Sequence, residues 1–165
     1  MIDRQKEKAK LVASLERSRL TIAHGESGVG KSALVLTGLG SKTGAESLVW
    51  LRADDIERMM DQAERLALGL AQPLPAVLEA TTRPENILVI DSAERLKDDG
   101  VKFIKALIER LCHVDTTTRP AWRVALVAQS YAVDRFTPLQ GFLASRDDIV
   151  EVGVIDGESV QKALR

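Results

Sequence analysis

A glycine-rich segment near the start of the chain has the residue types and the spacing of a phosphate cradle. Residues 25–32 read Gly-Glu-Ser-Gly-Val-Gly-Lys-Ser and match the pattern G-x-x-x-x-G-K-S/T. Glycines let the backbone wrap an anion with its N–H groups pointing inward, and a following helix adds the positive end of its dipole. We call residues 25–32 the phosphate loop. The residues expected to hold the phosphates are Gly25, Glu26, Ser27, Gly28, Val29, Gly30, Lys31, Ser32 and Ala33.

Two side chains of this segment have a specific expected role. Lys31 is expected to reach the β- and γ-phosphates of a nucleotide, where its charge also assists a reaction. The hydroxyl of Ser32 is an oxygen ligand of the kind that Mg²⁺ prefers. The pattern therefore predicts a site for a nucleoside triphosphate and Mg²⁺.

Two acids at the end of the third apolar run complete such a site. Asp91 ends the run 86–91 and is expected to hold Mg²⁺ through its water shell. Glu94 lies three residues on, within reach of a water that attacks the γ-phosphate. The alternatives are a solvated strand-end aspartate at position 91 and, at position 94, an acid that favours the start of a helix.

Polar residues also end the fourth apolar run and precede the fifth. Gln129 and Ser130 follow the run 123–128 and are expected to contact the γ-phosphate, with ordinary loop polarity as the alternative. Arg146 precedes the last run and is a candidate arginine for the site of a neighbouring subunit. A surface arginine without such a role is the alternative.

Five short apolar runs alternate with helical patterns along the chain. This alternation predicts the α/β class, with a mainly parallel sheet covered on both faces as a three-layer α/β/α sandwich. Ligands of such sheets bind beyond the carboxyl ends of the strands, where the phosphate loop, Asp91 and Gln129 are expected. The predicted strands are residues 20–24, 47–51, 86–91, 123–128 and 149–152.

Apolar periodicity and stop signals predict the helices. The first is expected over residues 4–17, and the second over about 31–37, closed by Gly38 and Gly40. A short last helix is expected to end at Arg165. The helix after the third strand is indicated by four apolar residues, Ile104, Leu107, Ile108 and Leu111.

One long helix is expected after the second strand. Its pattern stops at Pro73 and Pro75, which break helices. Residues 116–120 are expected to form a loop. The apolar residues that would share one face of the long helix are Ile56, Met59, Met60, Ala63, Ala67 and Leu70.

The composition excludes several classes of protein. The 165 residues are 45% hydrophobic and 28% charged, which is usual for one globular domain and excludes a disordered tail. The net charge of −1 gives no electrostatic reason to bind nucleic acid or anionic lipid, and no apolar run approaches the ~20 residues that span a bilayer. A single cysteine, Cys112, suits the cytoplasm. We interpret it as a packed thiol, and His24 as a core residue at a strand end.

Taken together, the phosphate loop, the acid strand ending at Asp91 with Glu94 after it, and the polar end of the fourth strand resemble the additional-strand (ASCE) branch of P-loop NTPases. Within that branch the chain is similar to the STAND/NACHT and AAA+ lineage over about residues 18–160. The run 149–156 resembles the join to a following helical lid. The resemblance implies ATP, ADP and Mg²⁺ as ligands, weak ATPase activity, and a nucleotide-dependent homo-oligomer of a longer signalling or defence protein.

Two departures from the family pattern bear on hydrolysis. Ser92 follows Asp91 where AAA+ proteins carry glutamate, and Arg95 follows Glu94 where NACHT proteins carry a second acid. A nucleotide-dependent assembly module that does not hydrolyse ATP is therefore an alternative. No Asn-Lys-x-Asp motif occurs, which favours adenine over guanine.

The resemblance also implies a domain organisation. We expect an N-terminal helix over residues 1–18 and a P-loop nucleotide-binding domain over 19–165, as a fragment of a larger multidomain protein. A DNA-acting AAA+ motor or loader is a second alternative. The near-neutral charge and the 4% aromatic content speak against a nucleic-acid groove in these residues.

Overall fold

Five parallel strands form one sheet in the computed structural model, which describes residues 4–40, 48–112 and 121–154. The strand order is β2-β3-β4-β1-β5, and every neighbouring pair is parallel. The predicted parallel sheet is therefore confirmed. The strands are β1 (Leu20–Gly25), β2 (Leu48–Arg52), β3 (Glu85–Asp91), β4 (Ala121–Gln129) and β5 (Ile149–Glu151).

Helices connect the strands and cover both faces of the sheet. Three 3₁₀ segments complete the described part of the chain, at Ala93–Arg95, Ser130–Phe142 and Arg146–Asp148. None of the described helices is both long enough and apolar enough to cross a membrane. The α-helices are α1 (Gln5–Arg17), α2 (Lys31–Leu39), α3 (Ala53–Met60), α4 (Gln62–Ala67), α5 (Leu74–Glu79) and α6 (Asp98–Cys112).

The three layers follow from the alternation of side chains along each strand. Successive residues of a strand point to opposite faces of the sheet. Ala23 and Val127 therefore pack under α1 and α2, in one cluster with Leu11. Ile22 and Leu126 point the other way and pack against α3, α6 and the segment 130–142. The predicted α/β/α sandwich is confirmed.

The strand order brings the predicted functional positions together. β4 lies between β1, which leads into the phosphate loop, and β3, which ends at Asp91. Gly25 is the register partner of Gln129, and Ile90 is the partner of Leu126. The ends of β1, β3 and β4 therefore meet at one carboxyl edge of the sheet, which is where ligands of such sheets bind.

The helix after the phosphate loop is longer than predicted. A stop at Gly38 was wrong, because Gly38 lies inside α2 and is buried. A Cβ at this position would lie 3.2 Å from Leu11 Cδ2, so glycine allows α1 to approach α2 closely. Gly40 follows the last helical residue, as predicted.

The single long helix predicted after β2 was also wrong. Asp61 has an extended backbone and caps α4, its carboxylate accepting a hydrogen bond of 2.9 Å from the Glu64 amide. The chain therefore turns between α3 and α4. Of the six apolar residues expected on one face, Ile56 is fully buried, and Met60 is 36% exposed.

A further helix, α5, begins where the sequence predicts only a break. Pro75 lies in its first turn, where the fixed backbone angle of proline favours a helix start. The predicted loop 116–120, the short C-terminal helix and Ser47 lie outside the described residues.

A buried aspartate joins the C-terminal end of α1 to the start of β5. Asp148 has no exposed surface. Its Oδ1 accepts a hydrogen bond of 2.8 Å from the Ser14 hydroxyl and one from Arg17 Nη2, and its Oδ2 accepts the Ser145 amide at 2.8 Å. This cluster anchors α1 to the sheet.

The N-terminal end of α1 is joined to the segment that follows β5. Arg4 Nη2 donates to the Gly153 carbonyl at 3.0 Å, and the Gly153 amide donates to Glu7 Oε1 at 3.1 Å. Both backbone groups of Gly153 are thus bound by side chains of the first helical turns.

Candidate functional site

The phosphate loop has the backbone conformation of an anion cradle. Gly28 and Gly30 have φ angles of 78° and 84°, in the left-handed region that favours glycine. A Cβ at either position would meet no atom within 4 Å, so backbone conformation alone explains these glycines. Gly30 directly precedes α2, whose first amide groups face the loop. The loop therefore offers several N–H donors and the positive end of a helix dipole to one anion.

Gly25 is required for a different reason. A Cβ on this residue would overlap the carbonyl oxygen of Val152 and would lie 3.2 Å from Val29 Cγ2. The side chain of Val29 is buried with Leu34 and Val152. Gly25 and Val29 thus fix the loop against the segment after β5, and what they offer a phosphate is backbone.

Lys31 lies across the phosphate loop. Its ammonium donates to the carbonyl oxygens of Gly25 at 3.1 Å and of Glu26 at 2.7 Å. A hydrogen bond between an ammonium and a phosphate is stronger than one to a neutral carbonyl, because both partners are charged. A bound phosphate would therefore compete well for this ammonium.

Ser32 and Asp91 form a pair of oxygen donors at the carboxyl edge. The Ser32 hydroxyl donates to Asp91 Oδ1 at 2.8 Å, and the amide of Ser92 donates to the same oxygen at 2.8 Å. Asp91 is 8% exposed. A hydroxyl and a carboxylate fit Mg²⁺, which typically takes few protein ligands and completes its shell with water and substrate phosphates. Among the described residues no group of three or more His, Cys, Asp or Glu side chains is placed to hold a metal ion by itself.

Glu94 is brought to the end of β4 by a tight turn. Ser92 has a φ of 58°, the one left-handed non-glycine residue in the described ranges, and the 3₁₀ turn Ala93–Arg95 follows. Glu94 Oε2 then accepts a hydrogen bond of 3.2 Å from the amide of Gln129. Two residues that lie 35 positions apart in sequence thus share one edge of the site.

One cavity of about 280 Å³ contains most of the predicted site residues. Gly25, Glu26, Val29 and Ser130 were predicted to contact phosphate and do not line it. Ser92 and Val127 line it and were not predicted. Val127 lies two residues before Gln129 on the same face of β4, so strand alternation is the signal that finds it. The lining residues are Ser27, Gly28, Gly30, Lys31, Ser32, Ala33, Asp91, Ser92, Glu94, Val127 and Gln129.

Solved structures share this arrangement of strands and helices. The chain is similar to the Walker-type ATPase PABY2304 of Pyrococcus abyssi, with a TM-score of 0.61, 16% identity, and coverage of 99% of this chain and 57% of that one. It is similar to Cdc6p from Pyrobaculum aerophilum, with a TM-score of 0.62, 16% identity, and coverage of 99% and 50%. The chain has the P-loop NTPase fold.

The similarity is one of fold and not of close sequence. The Holliday junction branch migration motor RuvB of Thermotoga maritima matches with a TM-score of 0.52 and 16% identity, over 93% of this chain and 45% of that one. The chain thus spans about half the length of these P-loop proteins. No protein-family model and no curated protein matches the sequence.

Arg146 lies apart from the P-loop cavity. It is exposed, in the 3₁₀ turn Arg146–Asp148 before β5, and lines a separate cavity of about 530 Å³ with Gln140, Leu143, Ser145 and Ile149. Within the described ranges its guanidinium makes no hydrogen bond or ion pair. A role of Arg146 in the site of its own chain is not supported by this position, and a role in a neighbouring chain stays a prediction.

His24 is half-buried beside the phosphate loop and is hydrogen-bonded to Ser130, the residue after β4. Its Nδ1 lies 3.1 Å from the Ser130 hydroxyl. Burial lowers the pKa of His24, the charge of Glu151 raises it, and the charge of Lys31 lowers it, with a net decrease. The imidazole is therefore neutral near pH 7, in keeping with a structural role.

Cys112 is a packed thiol, as interpreted from the sequence. Burial raises its pKa to about 11, so the thiolate that a nucleophile needs is absent near pH 7. The Sγ atom lies 3.8 Å from the carbonyl oxygen of Arg19.

Proposed function

We propose that this domain binds ATP with Mg²⁺ and hydrolyses the ATP slowly. One observation carries the proposal: the phosphate loop, the Ser32–Asp91 pair and Glu94 face a single cavity at the carboxyl edge of the sheet. The P-loop ATPase neighbours support the same reading at the level of fold. Adenine is the proposed base, because the Asn-Lys-x-Asp motif of guanine-binding proteins is absent.

Five polar side chains of the cavity have a role in the proposed reaction. Lys31 balances charge on the β- and γ-phosphates, and Gln129 contacts a γ-phosphate oxygen. Glu94 orients the attacking water and accepts its proton. Ser32 and Asp91 would hold Mg²⁺, which when bound offsets negative charge on the phosphates. The products are ADP and inorganic phosphate.

Lys31→Ala should weaken ATP binding about tenfold to hundredfold and leave the fold intact. Hydrogen bonds to charged groups contribute about 1.5–3 kcal/mol, and each 1.4 kcal/mol corresponds to about a tenfold change in affinity. The lysine is partly exposed and bonds to loop carbonyls, so its loss removes little of the core. Titration calorimetry with ATP and Mg²⁺ measures the affinity, and circular dichroism follows the fold.

The matched control is Lys102→Ala. Lys102 lies on the exposed face of α6 and pairs with Asp99 at 3.2 Å, away from the cavity. It should bind ATP as the parent protein does. Equal ATP affinity for the parent and Lys31→Ala would disprove the proposed role of the phosphate loop.

A module that binds ATP without turnover is the second candidate. It is favoured by Ser92 at the position where AAA+ proteins carry glutamate, and by Arg95, which pairs with Asp54 at 3.0 Å and stands where a second acid is expected. The two candidates differ in phosphate release under conditions where ATP binding is saturated.

We propose further that the domain is the nucleotide-dependent switch of a longer signalling or defence protein of the STAND/NACHT and AAA+ type. The resemblance of the run 149–156 to a lid junction supports this role. A DNA-acting motor, as the branch migration motor RuvB is, is the less favoured alternative, because the net charge of −1 offers no electrostatic attraction to DNA.

We also propose that Arg146 serves the site of a neighbouring subunit in a nucleotide-dependent homo-oligomer. Its exposed guanidinium, which makes no hydrogen bond or ion pair within the described residues, and its turn capped by Ser145 support that role. Phosphate release per chain should rise severalfold with protein concentration in the parent and stay constant in Arg146→Ala. A parallel rise in both proteins would contradict the proposal.

A further inference from the structure

The turn that carries Glu94 depends on support from outside itself. It follows the left-handed Ser92 and contains two backbone hydrogen bonds, from Arg95 to Ser92 at 2.9 Å and from Leu96 to Ala93 at 3.2 Å. Turns of this 3₁₀ type have poor hydrogen-bond geometry and are short. The position of the Glu94 carboxylate therefore depends on what holds the turn.

The side chain of Arg135 is hydrogen-bonded to this turn. Its Nη1 donates to the carbonyl oxygen of Glu94 at 3.2 Å, and its Nη2 donates to that of Leu96 at 2.8 Å. The planar guanidinium presents these donors in a fixed fork, so the two bonds fix both the distance and the orientation of the turn. Nη2 also lies 3.5 Å from Asp98 Oδ1.

Arg135 is itself fixed by the core. It belongs to the 3₁₀ segment Ser130–Phe142, whose residues Ala132, Phe136 and Leu139 are fully buried. This segment starts directly after Gln129, whose amide holds the Glu94 carboxylate. One continuous stretch of chain thus binds the glutamate turn twice, through the Gln129 amide and through Arg135.

We propose that Arg135 is a positioning residue for the hydrolytic step, acting through Glu94. It keeps the Glu94 carboxylate at the end of β4, beside the residue proposed to contact the γ-phosphate. The inference rests on the proposed ATPase function and adds to it a residue outside the cavity lining.

Kinetics of three variants test the proposal. Arg135→Ala should lower kcat about tenfold, because misplacing a catalytic group by an ångström can cost up to about a hundredfold. KM and the Kd for ATP should stay within twofold, since Arg135 does not line the cavity. Arg135→Lys should keep only part of the parent rate, because the lysine ammonium is still a donor but lacks the fork that reaches both carbonyl oxygens. The control Arg110→Ala removes an arginine that pairs with Glu79 through two nitrogens far from the site, and should keep the parent rate.

A double-variant comparison separates positioning from general stabilisation. In the Glu94→Gln background, Arg135→Ala should cause no further loss of kcat, because the base it positions is gone. An equal loss in both backgrounds, or a tenfold loss in Arg110→Ala, would overturn the proposal. If Arg135→Ala unfolds, Arg135→Lys and Arg135→Gln replace it in the same comparison.

A readout without ATP keeps this inference distinct from the proposed function. Hydrogen exchange of the Gln129 amide, followed by NMR in the nucleotide-free protein, should be severalfold faster in Arg135→Ala than in the parent, because the Glu94 carboxylate no longer protects it. Unchanged exchange overturns the positioning role. A parent protein that releases no phosphate disproves the ATPase proposal alone, and faster exchange would still support the contact that Arg135 maintains.

Discussion

Glu94→Gln should lower ATP turnover about 10²-fold or more while ATP affinity stays the same, because general-base catalysis contributes roughly 10²–10⁴-fold. The amide oxygen of glutamine can still accept the bond from the Gln129 amide, so the turn keeps its shape. The Glu94 base acts chiefly in the transition state, so its removal leaves the ground-state binding of ATP intact. Single-turnover phosphate release measures the rate, and calorimetry measures the affinity.

Two further variants make this result specific. Glu109→Gln, on the exposed face of α6, should release phosphate at the parent rate. Asp91→Asn should weaken the Mg²⁺ dependence of binding as well as the rate, because it alters the Ser32–Asp91 pair. Equal, low phosphate release from the parent and Glu94→Gln would favour the module that binds ATP without turnover.

Asp148→Ala should lower the free energy of unfolding by about 1–3 kcal/mol, the usual cost of leaving a buried hydrogen-bonding group without its partner. The carboxylate has no exposed surface and accepts bonds from Ser14, Arg17 and the Ser145 amide. Its removal leaves the Ser145 amide and Arg17 without this acceptor, whereas Ser14 keeps Thr21 at 2.8 Å. Urea unfolding at pH 7 measures the loss. An unfolding free energy within about 0.5 kcal/mol of the parent, as for an ordinary surface substitution, would contradict this assignment.

The same aspartate predicts a dependence of stability on pH. Burial alone would raise the pKa of Asp148, but hydrogen bonds from Ser14, the Ser145 amide and Arg17, with the charge of Arg17, bring the pKa below its ordinary value. Because the folded-state pKa is lowered, the ionised Asp148 carboxylate stabilises the fold fully above the unfolded-state pKa of ~3.9. This stabilisation is lost as the pH falls through the folded-state pKa. The stability difference between the parent and Asp148→Asn should therefore shrink below about pH 4. A difference that stays constant to pH 2 would show that the carboxylate charge is not the cause.

The sequence predicts the parts of this fold that depend on local pattern. Buried parallel strands are continuous apolar runs, so the predicted ends of β1, β3 and β4 lie within two residues of the observed ends. The phosphate loop can be predicted because its glycines adopt backbone angles that few other residues adopt. The single helix predicted from residue 56 to residue 70 fails although its apolar pattern is strongly periodic, because Asp61 caps a new helix in the middle of it.

Other parts of the site leave no local signal. Arg135 bonds to the carbonyl oxygens of residues 39 and 41 positions away, and a carbonyl is present on every residue. No pattern of side-chain types can therefore identify such a contact. The bond between Glu94 and the Gln129 amide has the same character, since it depends on β4 lying beside β3.

The bonds between Arg4, Glu7 and Gly153 bring the two ends of the described chain side by side. The backbone at residues 4–7 and at residue 153 could therefore be linked by a short connection and the chain opened elsewhere, because circular permutation is tolerated where such positions lie close together. The turn at Gly69, between α4 and α5, is exposed and remote from the P-loop cavity. Opening the backbone there would leave every strand of the sheet and every residue that lines the cavity on an unbroken segment.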